Sequence, residues 1–243
     1  MESDSGEPDL NGDDTPSVMT INLLDNPVWH ALEGPHRVHA LGRGLARHYP
    51  RDMAPFSAIA EANVTAYADL ATDLPARAEA RLFRPSPEAL PGGWDEVGHF
   101  PMLQMVATRP PAAVDHSTIE LSLEDTASML ELVAMAQPGP FGQRTAMLGR
   151  YLGIRQDGRL VAMAGERLRL PGHVELSAIC VHPEARGRGY AAALVQALMN
   201  LAFERGDVPF LHVRPDNGAA VSLYRRLGFE TCRELVVLWR RPQ

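Results

Sequence analysis

The segment from Arg186 to Ala191, Arg-Gly-Arg-Gly-Tyr-Ala, is where residue type and spacing most clearly predict chemistry. It lies between an apolar stretch typical of a strand and an amphipathic stretch typical of a helix. Glycines in a strand-to-helix turn let backbone N–H groups approach a phosphate closely. The helix N-terminus that follows adds a partial positive charge. The segment therefore predicts a pyrophosphate-binding turn, and a solvent-exposed arginine turn is the alternative.

A second motif follows this turn. Asn217 begins the pattern Asn-x-x-Ala-x-x-Leu-Tyr-x-x-Leu-Gly-Phe, which ends at Phe229 and lies largely on a predicted helix. Arg186, Gly189 and Ala191 fill the signature Arg/Gln-x-x-Gly-x-Gly/Ala. With both motifs in this order, the segment from 117 to 241 resembles the GNAT superfamily of acetyl-CoA-dependent N-acyltransferases. Residues 1–110 carry no comparable motif.

The resemblance implies that acetyl-CoA is the co-substrate. A dinucleotide site would need three glycines and an acidic residue about 20 positions later, and neither follows Gly187. The end of the preceding strand is expected to pair with the pantetheine arm, and Asn217 has two compatible roles, as a helix N-cap and as a cofactor ligand. The predicted cofactor-binding residues are Ile179, Cys180, Val181, Arg186, Gly187, Arg188, Gly189, Tyr190, Ala191, Ala192, Asn217 and Tyr224.

Three side chains are candidates for proton transfer in an N-acetyl transfer. Glu175 opens the strand before the turn, where several relatives carry a catalytic glutamate, and we expect burial to raise its pKa toward that of a base. Tyr224 is the candidate acid for the departing thiolate. His212 lies where some relatives carry a glutamate base. The structural alternatives are a solvated or arginine-paired charge for Glu175, helix packing for Tyr224 and a half-buried strand residue for His212.

The elements that must position these residues follow from hydrophobic periodicity and turn signals. The resemblance implies an α/β (α+β) fold with a mixed, mostly antiparallel twisted sheet, a splayed parallel strand pair and flanking helices. Asp157-Gly158 predicts a hairpin between segments 151–155 and 159–169. Further strands are predicted at 80–83, 102–107, 117–121, 174–181, 210–213 and 235–239, and helices near 27–32, 66–74, 122–135, 190–203 and 217–227.

Composition shifts predict three segments: an acidic disordered tail at 1–18, a smaller N-terminal α/β domain at 19–108 and a catalytic domain at 113–243. The boundary falls at consecutive prolines, which stop helices and central strands. Arg84-Pro85 followed by Gly93-Trp94 matches Arg214-Pro215 followed by Gly228-Phe229. Two interpretations stay open: the first half is a degenerate GNAT-like copy of the second, or the short match arose by chance.

Charge and cysteine content restrict the partners and the compartment. The net charge of −7 is concentrated in the first 17 residues, which hold 6 of the 30 acids, so 24 acids face 23 arginines elsewhere. We therefore expect no nucleic-acid or membrane binding. Cys180 and Cys232 are expected to be reduced, packed thiols of a cytoplasmic protein without signal peptide or spanning helix. No metal site is predicted.

The predicted function is transfer of an acetyl group from acetyl-CoA to a primary amine in a ternary complex. Direct transfer is expected because no nucleophile with a partnering base is evident and Cys180 lies in an apolar strand. The alternative is a non-catalytic acyl-CoA-binding or sensing module. The acceptor, a small molecule or peptide, is not identified by any motif, and the first half could supply its wall. The protein is expected to be a monomer or homodimer. An amine acceptor would be consistent with acids near the cleft, such as Glu124, Asp125, Glu131 or Glu166.

Overall fold

The computed structural model describes residues 23–75, 77–111 and 117–243. The tail predicted at 1–18 lies outside these residues. The helices are α1 Pro27–Glu33, α2 Val64–Asp73, α3 Thr126–Ala136, α4 Tyr190–Glu204 and α5 Gly218–Arg226. The strands are β1 Ala46–His48, β2 Ser57–Ile59, β3 Ala80–Arg84, β4 Trp94–Ala107, β5 Ile119–Leu121, β6 Tyr151–Gln156, β7 Arg159–Leu170, β8 His173–Val181, β9 Val208–Val213 and β10 Phe229–Pro242.

Local sequence signals explain where several elements begin and turn. The side chain of Asn217 accepts a hydrogen bond from the backbone N–H of Ala220 at 3.2 Å, which caps α5. Its predicted N-cap role is therefore confirmed. Asp157 and Gly158 have φ angles of 49° and 78° between β6 and β7. These left-handed conformations are those that a two-residue hairpin turn requires, so the predicted hairpin is confirmed.

The described strands form one eight-stranded sheet, in the order β3-β10-β4-β9-β8-β7-β6-β5, and a separate β1-β2 pair. Every neighbouring pair that the described residues form in the large sheet is antiparallel except β8 and β9, which are parallel. The helix α4 connects this parallel pair, as a crossover connection requires. The predicted mixed, mostly antiparallel sheet is confirmed.

The parallel pair separates along its length. Its ladder begins at His173 and Val208 and ends where Glu175 faces Phe210. Beyond this point β8 continues for six residues to Val181 without a ladder partner on β9 in the described chain. On its other side β9 pairs with β4 from Phe210 to Val213. The sheet therefore opens into a cleft that starts directly after Glu175.

Both halves of the chain contribute to the same sheet. The strand β4 lies between β9 and β10, and it pairs with β10 over nearly its whole length, from Trp94 facing Pro242 to Ala107 facing Phe229. The proposed boundary at residues 109–111 follows β4, so segments 19–108 and 113–243 do not form separate sheets. Whether they are separate domains stays a prediction. Both β4 and β10 are longer than predicted. Their exposed parts contain polar residues that interrupt the apolar runs from which the strands were predicted.

The four strands β3, β10, β4 and β9 are arranged almost symmetrically. In each half a short strand precedes an Arg-Pro pair, and a 14-residue strand follows it and pairs with the short strand of the other half. The first half also has a parallel bridge, from Phe56 to Arg81, on either side of α2. That the first half is a degenerate copy of the second stays a prediction.

The two faces of the sheet pack against different halves. Leu211 and Val213 of β9 belong to an apolar cluster with α4, whereas Phe210 belongs to a cluster built with first-half residues such as Phe56 and Phe83. Because side chains alternate along a strand, His212 shares the face of Phe210. The side chains of β9 that carry chemistry therefore point toward the first half of the chain.

Candidate active site

A cavity of about 460 Å³ occupies the opening between β8 and β9. Seven of the predicted cofactor-binding residues line it, and the other five belong to the adjacent turn and the first turn of α4. The lining also includes Met102 of β4, so the first half of the chain forms part of the wall. The lining residues that sequence reasoning had singled out are Ile179, Cys180, Val181, Arg186, Ala191, His212, Asn217 and Tyr224.

The glycine turn has the conformation that the sequence predicts. Gly187 and Gly189 have φ angles of 78° and 79°, in the left-handed region that favours glycine. Gly189 is the N-cap of α4, whose first intrahelical hydrogen bond runs from Ala193 N to Gly189 O at 3.0 Å. The N–H groups of positions 190–192 therefore precede the helical ladder and are oriented for an anion. Arg186, at the cavity wall, is exposed.

The strand β8 is bulged where it lines the cavity. Its register against β7 jumps from Met163–Cys180 to Gly165–Ser177, and Ala178 has a φ of 52°. Within the described chain neither ladder includes Ala178 or Ile179. A non-glycine residue in this conformation is uncommon and costs energy. The bulge frees main-chain groups for a ligand in the cleft, as the predicted pairing with a pantetheine arm needs.

A chain of buried side chains crosses four neighbouring strands where the sheet opens. Arg167 on β7 donates to Glu175 on β8 through Nε at 2.9 Å and Nη2 at 2.5 Å. Nδ1 of His212 on β9 lies 2.7 Å from Glu175 Oε1. The amide nitrogen of Gln104 on β4 lies 3.0 Å from His212 Nε2 and donates to the carbonyl of Leu24. With Gln104 as donor, the imidazole proton is on Nδ1 and is donated to Glu175.

The charge state of Glu175 differs from the prediction. Its side chain is fully buried, and burial alone would raise its pKa. The charge of Arg167, together with the interactions of His212, outweighs burial and lowers the pKa to about 2. The expectation of a raised pKa is therefore wrong, and the alternative of an ion pair with an arginine is confirmed. Glu175 is therefore ionised at neutral pH and lies where the cleft begins.

His212 is also enclosed. Its side chain is fully buried, so it lines the cavity through its main chain. The ring of Phe83 lies 4.8 Å from the imidazole, and the ring of Phe56 lies 4.7 Å from the guanidinium carbon of Arg167. Both phenylalanines belong to the first half of the chain. The first half therefore covers His212 and Arg167, the two partners of the Glu175 carboxylate, and separates them from solvent.

Tyr224 reaches the cavity from α5. The residue is 7% exposed, and burial raises the pKa of its hydroxyl to about 12. The ring packs edge-on against Phe229 with centroids 6.0 Å apart. Among the described residues its hydroxyl has no hydrogen-bond partner. The side chain is thus a protonated donor at neutral pH, and its packing role coexists with its place in the cleft.

The two cysteines lie in different surroundings. Cys180 is buried and unpaired, and burial raises the pKa of its thiol to about 12. It is therefore poorly suited to be a nucleophile, as predicted. Cys232 is exposed, so the prediction that both thiols are packed is wrong for this residue. The reason is a bulge between Thr231 and Arg233, which displaces Cys232 from the ladder.

The acids that were expected near the cleft are elsewhere. Among the described residues none of the four lines the cavity. Glu166 is buried against Arg205 at 2.6 Å, and Asp125 binds Arg155 at 2.6 Å. The charged side chains of the lining are those of Arg186 and Arg214. These four acids therefore do not form the wall of this cavity in the described chain.

Sequence reasoning missed Arg167 and Gln104. Arg167 lies in a bulge of β7, where Glu166 faces Leu176 and Arg169 faces Val174. The bulge turns its side chain toward Glu175. The short turn at 171–172 could have indicated an arginine partner, because it places β7 beside β8. Gln104 carried no comparable signal, since its strand joins β9 across more than 100 residues of sequence.

Comparisons with known proteins agree with this geometry. A family model described as "FR47-like protein" matches residues 151–238. The structure of a GNAT-family protein from Novosphingobium aromaticivorans has a TM-score of 0.84 and 36% identity, covering 91% of this chain and 99% of that one. N-alpha-acetyltransferase RimI of Mycobacterium tuberculosis is 43% identical over 83 residues, 33% of this chain and 51% of that protein. Mycothiol acetyltransferase of Corynebacterium jeikeium is 41% identical over 75 residues, 30% of this chain and 20% of that protein.

A parallel strand pair that splays beside a glycine turn and helix N-terminus defines an acyl-CoA-binding transferase fold. The chain belongs to the GNAT family of acetyltransferases, as its sequence motifs indicated. It spans about half the length, or less, of the curated relatives named above. In the part of the chain that the structure describes, no helix is long and apolar enough to cross a membrane.

Proposed function

We propose that this protein transfers an acetyl group from acetyl-CoA to the α-amine of its acceptor, by direct attack within a ternary complex. The observation that carries the proposal is the cavity between β8 and β9, which begins at the glycine turn and contains Tyr224. The glycine turn fits the pyrophosphate of CoA, and the bulged strand β8 fits the pantetheine arm. The N-capped helix α5, which carries Tyr224, fits the thiol end. When bound, acetyl-CoA supplies the activated thioester.

The residues of the cleft provide for both charges that develop during transfer. The main-chain N–H groups around Ala178 and Ile179 lie outside both ladders and can donate to the oxyanion of the tetrahedral intermediate. The hydroxyl of Tyr224 donates to the sulfur as the C–S bond breaks and the N–C bond forms. The attacking amine loses one proton to solvent, and Tyr224 gives one proton to the thiolate. Solvent then returns a proton to Tyr224, so the step balances.

The acceptor amine is proposed to enter in its neutral form. A carboxylate with a pKa of about 2 is a poor proton acceptor, which argues against Glu175 as the direct base. His212 is enclosed. A lysine ε-amine has a pKa of about 10.4 and an α-amine about 8, so at pH 7 deprotonation costs roughly 5 and 1 kcal/mol respectively. Arg186 at the cavity wall adds repulsion for polycations, whereas the charge of Arg214 is offset by Asp216 at 2.7 Å. The relative RimI is named an N-alpha-acetyltransferase, which agrees with this choice.

Release of free CoA thiol from purified protein tests the proposal. Short peptides with a free α-amine and a blocked lysine are compared with peptides in which only the lysine is free. We expect turnover of the first group, rising with pH toward the pKa of the α-amine. If neither group of peptides causes release of thiol, although acetyl-CoA binds tightly, the result would instead support the non-catalytic binding module.

Tyr224→Phe separates the role of the hydroxyl from packing. A hydrogen bond to a charged group contributes about 1.5–3 kcal/mol, so kcat is expected to fall roughly 10- to 100-fold. Affinity for CoA should change little, because the ring stays. Tyr151→Phe is the matched control: Tyr151 is also buried and its hydroxyl also lacks a partner, but it does not line the cavity. Equal rates for both variants would contradict the role of Tyr224.

A further inference from the structure

We propose that a second cavity, between the two halves of the chain, binds an anionic group of the acceptor. The proposal rests on the proposed function and specifies its acceptor class as an α-amine that carries a carboxylate or phosphate. The cavity has a volume of about 540 Å³. Two arginines, Arg51 and Arg81, line it together with apolar residues from both halves, among them Met53, Pro140 and Phe141.

The charge of this cavity is uncompensated by its own lining. Its described lining residues include no carboxylate. Two acids outside the lining have other contacts: Glu79 accepts a hydrogen bond from the Trp239 indole at 2.7 Å, and Asp52 lies 3.5 Å from the guanidinium of Arg144. The charge of Glu79 also acts on Arg81, without a salt bridge between them. Within the described residues neither Arg51 nor Arg81 forms a salt bridge. An anion could therefore bind both arginines without breaking an existing salt bridge.

Arg81 is held in place before any ligand arrives. Its guanidinium carbon lies 4.3 Å from the ring centroid of Trp239 and faces that ring. Burial and the charge of Arg51 lower the pKa of Arg81, against an opposing effect of Glu79. Both arginines line the same cavity, so their positive charges act on the same space. A stacked, preoriented arginine beside a second one is suited to a planar carboxylate or a phosphate.

One segment joins this cavity to the cleft. Residues 136–138 line the cleft, and residues 139–142 line the second cavity. Phe141 lies three positions after Pro138 in the chain, which limits the distance between their Cα atoms to roughly 10 Å. The segment is anchored to the first half, because Arg144 N donates to Asp52 O at 2.9 Å. An acceptor of peptide size can therefore present its amine to the cleft and an acidic group to the arginines.

Paired peptides test this inference in the chain of residues 1–243. Five-residue amides with a free α-amine carry one Asp, or Asn as control, at position two, three or four. We expect kcat/KM for Asp to exceed that for Asn about tenfold at one position, since a charge-assisted hydrogen bond contributes about 1.5–3 kcal/mol. Arg51→Glu should abolish this preference. Arg37→Gln changes another exposed first-half arginine outside this cavity and should preserve it. Equal rates for Asp and Asn at every position in the wild type would overturn the inference.

A binding measurement keeps this inference separate from the proposed function. If no peptide is acetylated, the proposed function fails, and titration with inorganic phosphate decides the anion site. CoA is present at saturation to block the glycine turn. Because Arg81 stacks on Trp239, we expect a saturable change of indole fluorescence that Trp239→Phe and Arg51→Glu remove and Arg37→Gln retains. Absence of a saturable change in the wild type would reject an anion site.

Discussion

Replacing Glu175 by glutamine should destabilise the protein far more than it slows catalysis. The substitution preserves the shape of the side chain and removes its charge. Arg167, which is almost buried, then has no counterion at this position. Breaking a buried pair in this way costs about 3–5 kcal/mol. The pKa of Glu175 gives a second value. A decrease from 4.5 to about 2 corresponds to roughly 3 kcal/mol of stability at neutral pH.

The expected result has a thermal and a pH component. For a chain of this length, 3–5 kcal/mol lowers the melting temperature by about 6–20 °C. Because the folded pKa is depressed, the carboxylate stabilises the protein above its unfolded pKa of 4.5, and this contribution is lost as pH falls toward 2. Glu175→Gln should therefore show a flatter dependence of unfolding free energy on pH in this window, measured by urea titration at several pH values.

A double variant distinguishes a structural anchor from a catalytic base. Arg167→Met combined with Glu175→Gln removes both charges, and replacing a buried pair by neutral residues is often tolerated. We expect it to recover much of the lost stability and, at a temperature where it is folded, to retain kcat within about tenfold. General-base removal typically costs 10²–10⁴-fold. A stable double variant with such a loss, or a Glu175→Gln variant as stable as the wild type, would refute the anchor.

Two further predictions concern packing and assembly. Gly165→Ala would place a Cβ 2.2 Å from the ring of Tyr151, so we expect a loss of about 1–3 kcal/mol or more in thermal unfolding, whereas Gly98→Ala, with no atom within 4 Å, should have little effect. A fragment of residues 117–243 lacks β3 and β4 and exposes the edge of β9, so it should fail to unfold cooperatively in calorimetry; a cooperative, CoA-binding fragment would instead support two domains.

Local features of the fold and site could be predicted from the sequence because their causes are local. The turn at Gly187 and Gly189 needs left-handed backbone that glycine favours. The cap at Asn217 and the hairpin at Asp157-Gly158 depend on side chains within a few positions. Each signal lies within a single connection, so no knowledge of distant pairing was needed.

Features that depend on distant pairing could not be predicted. The insertion of β4 between β9 and β10 brings Gln104 to His212, and no periodicity of either strand encodes that choice of neighbour. The predicted direction of the pKa shift of Glu175 was wrong for a related reason. Its direction is set by competition between burial and nearby charge, and the second effect requires the position of Arg167 in a bulge.

The hydrogen-bonded side chains around Glu175 indicate why the cleft needs the first half of the protein. Three of these side chains lie on strands of the second half, but the imidazole is completed by Gln104 and covered by Phe83, both from the first half. Without them His212 would face solvent, and the screened ion pair would hold the diverging strands less firmly. Because the ladder between β8 and β9 ends at Glu175, this residue determines where the cleft begins. The first half thus supports the site through the sheet and through the cavity wall at Met102.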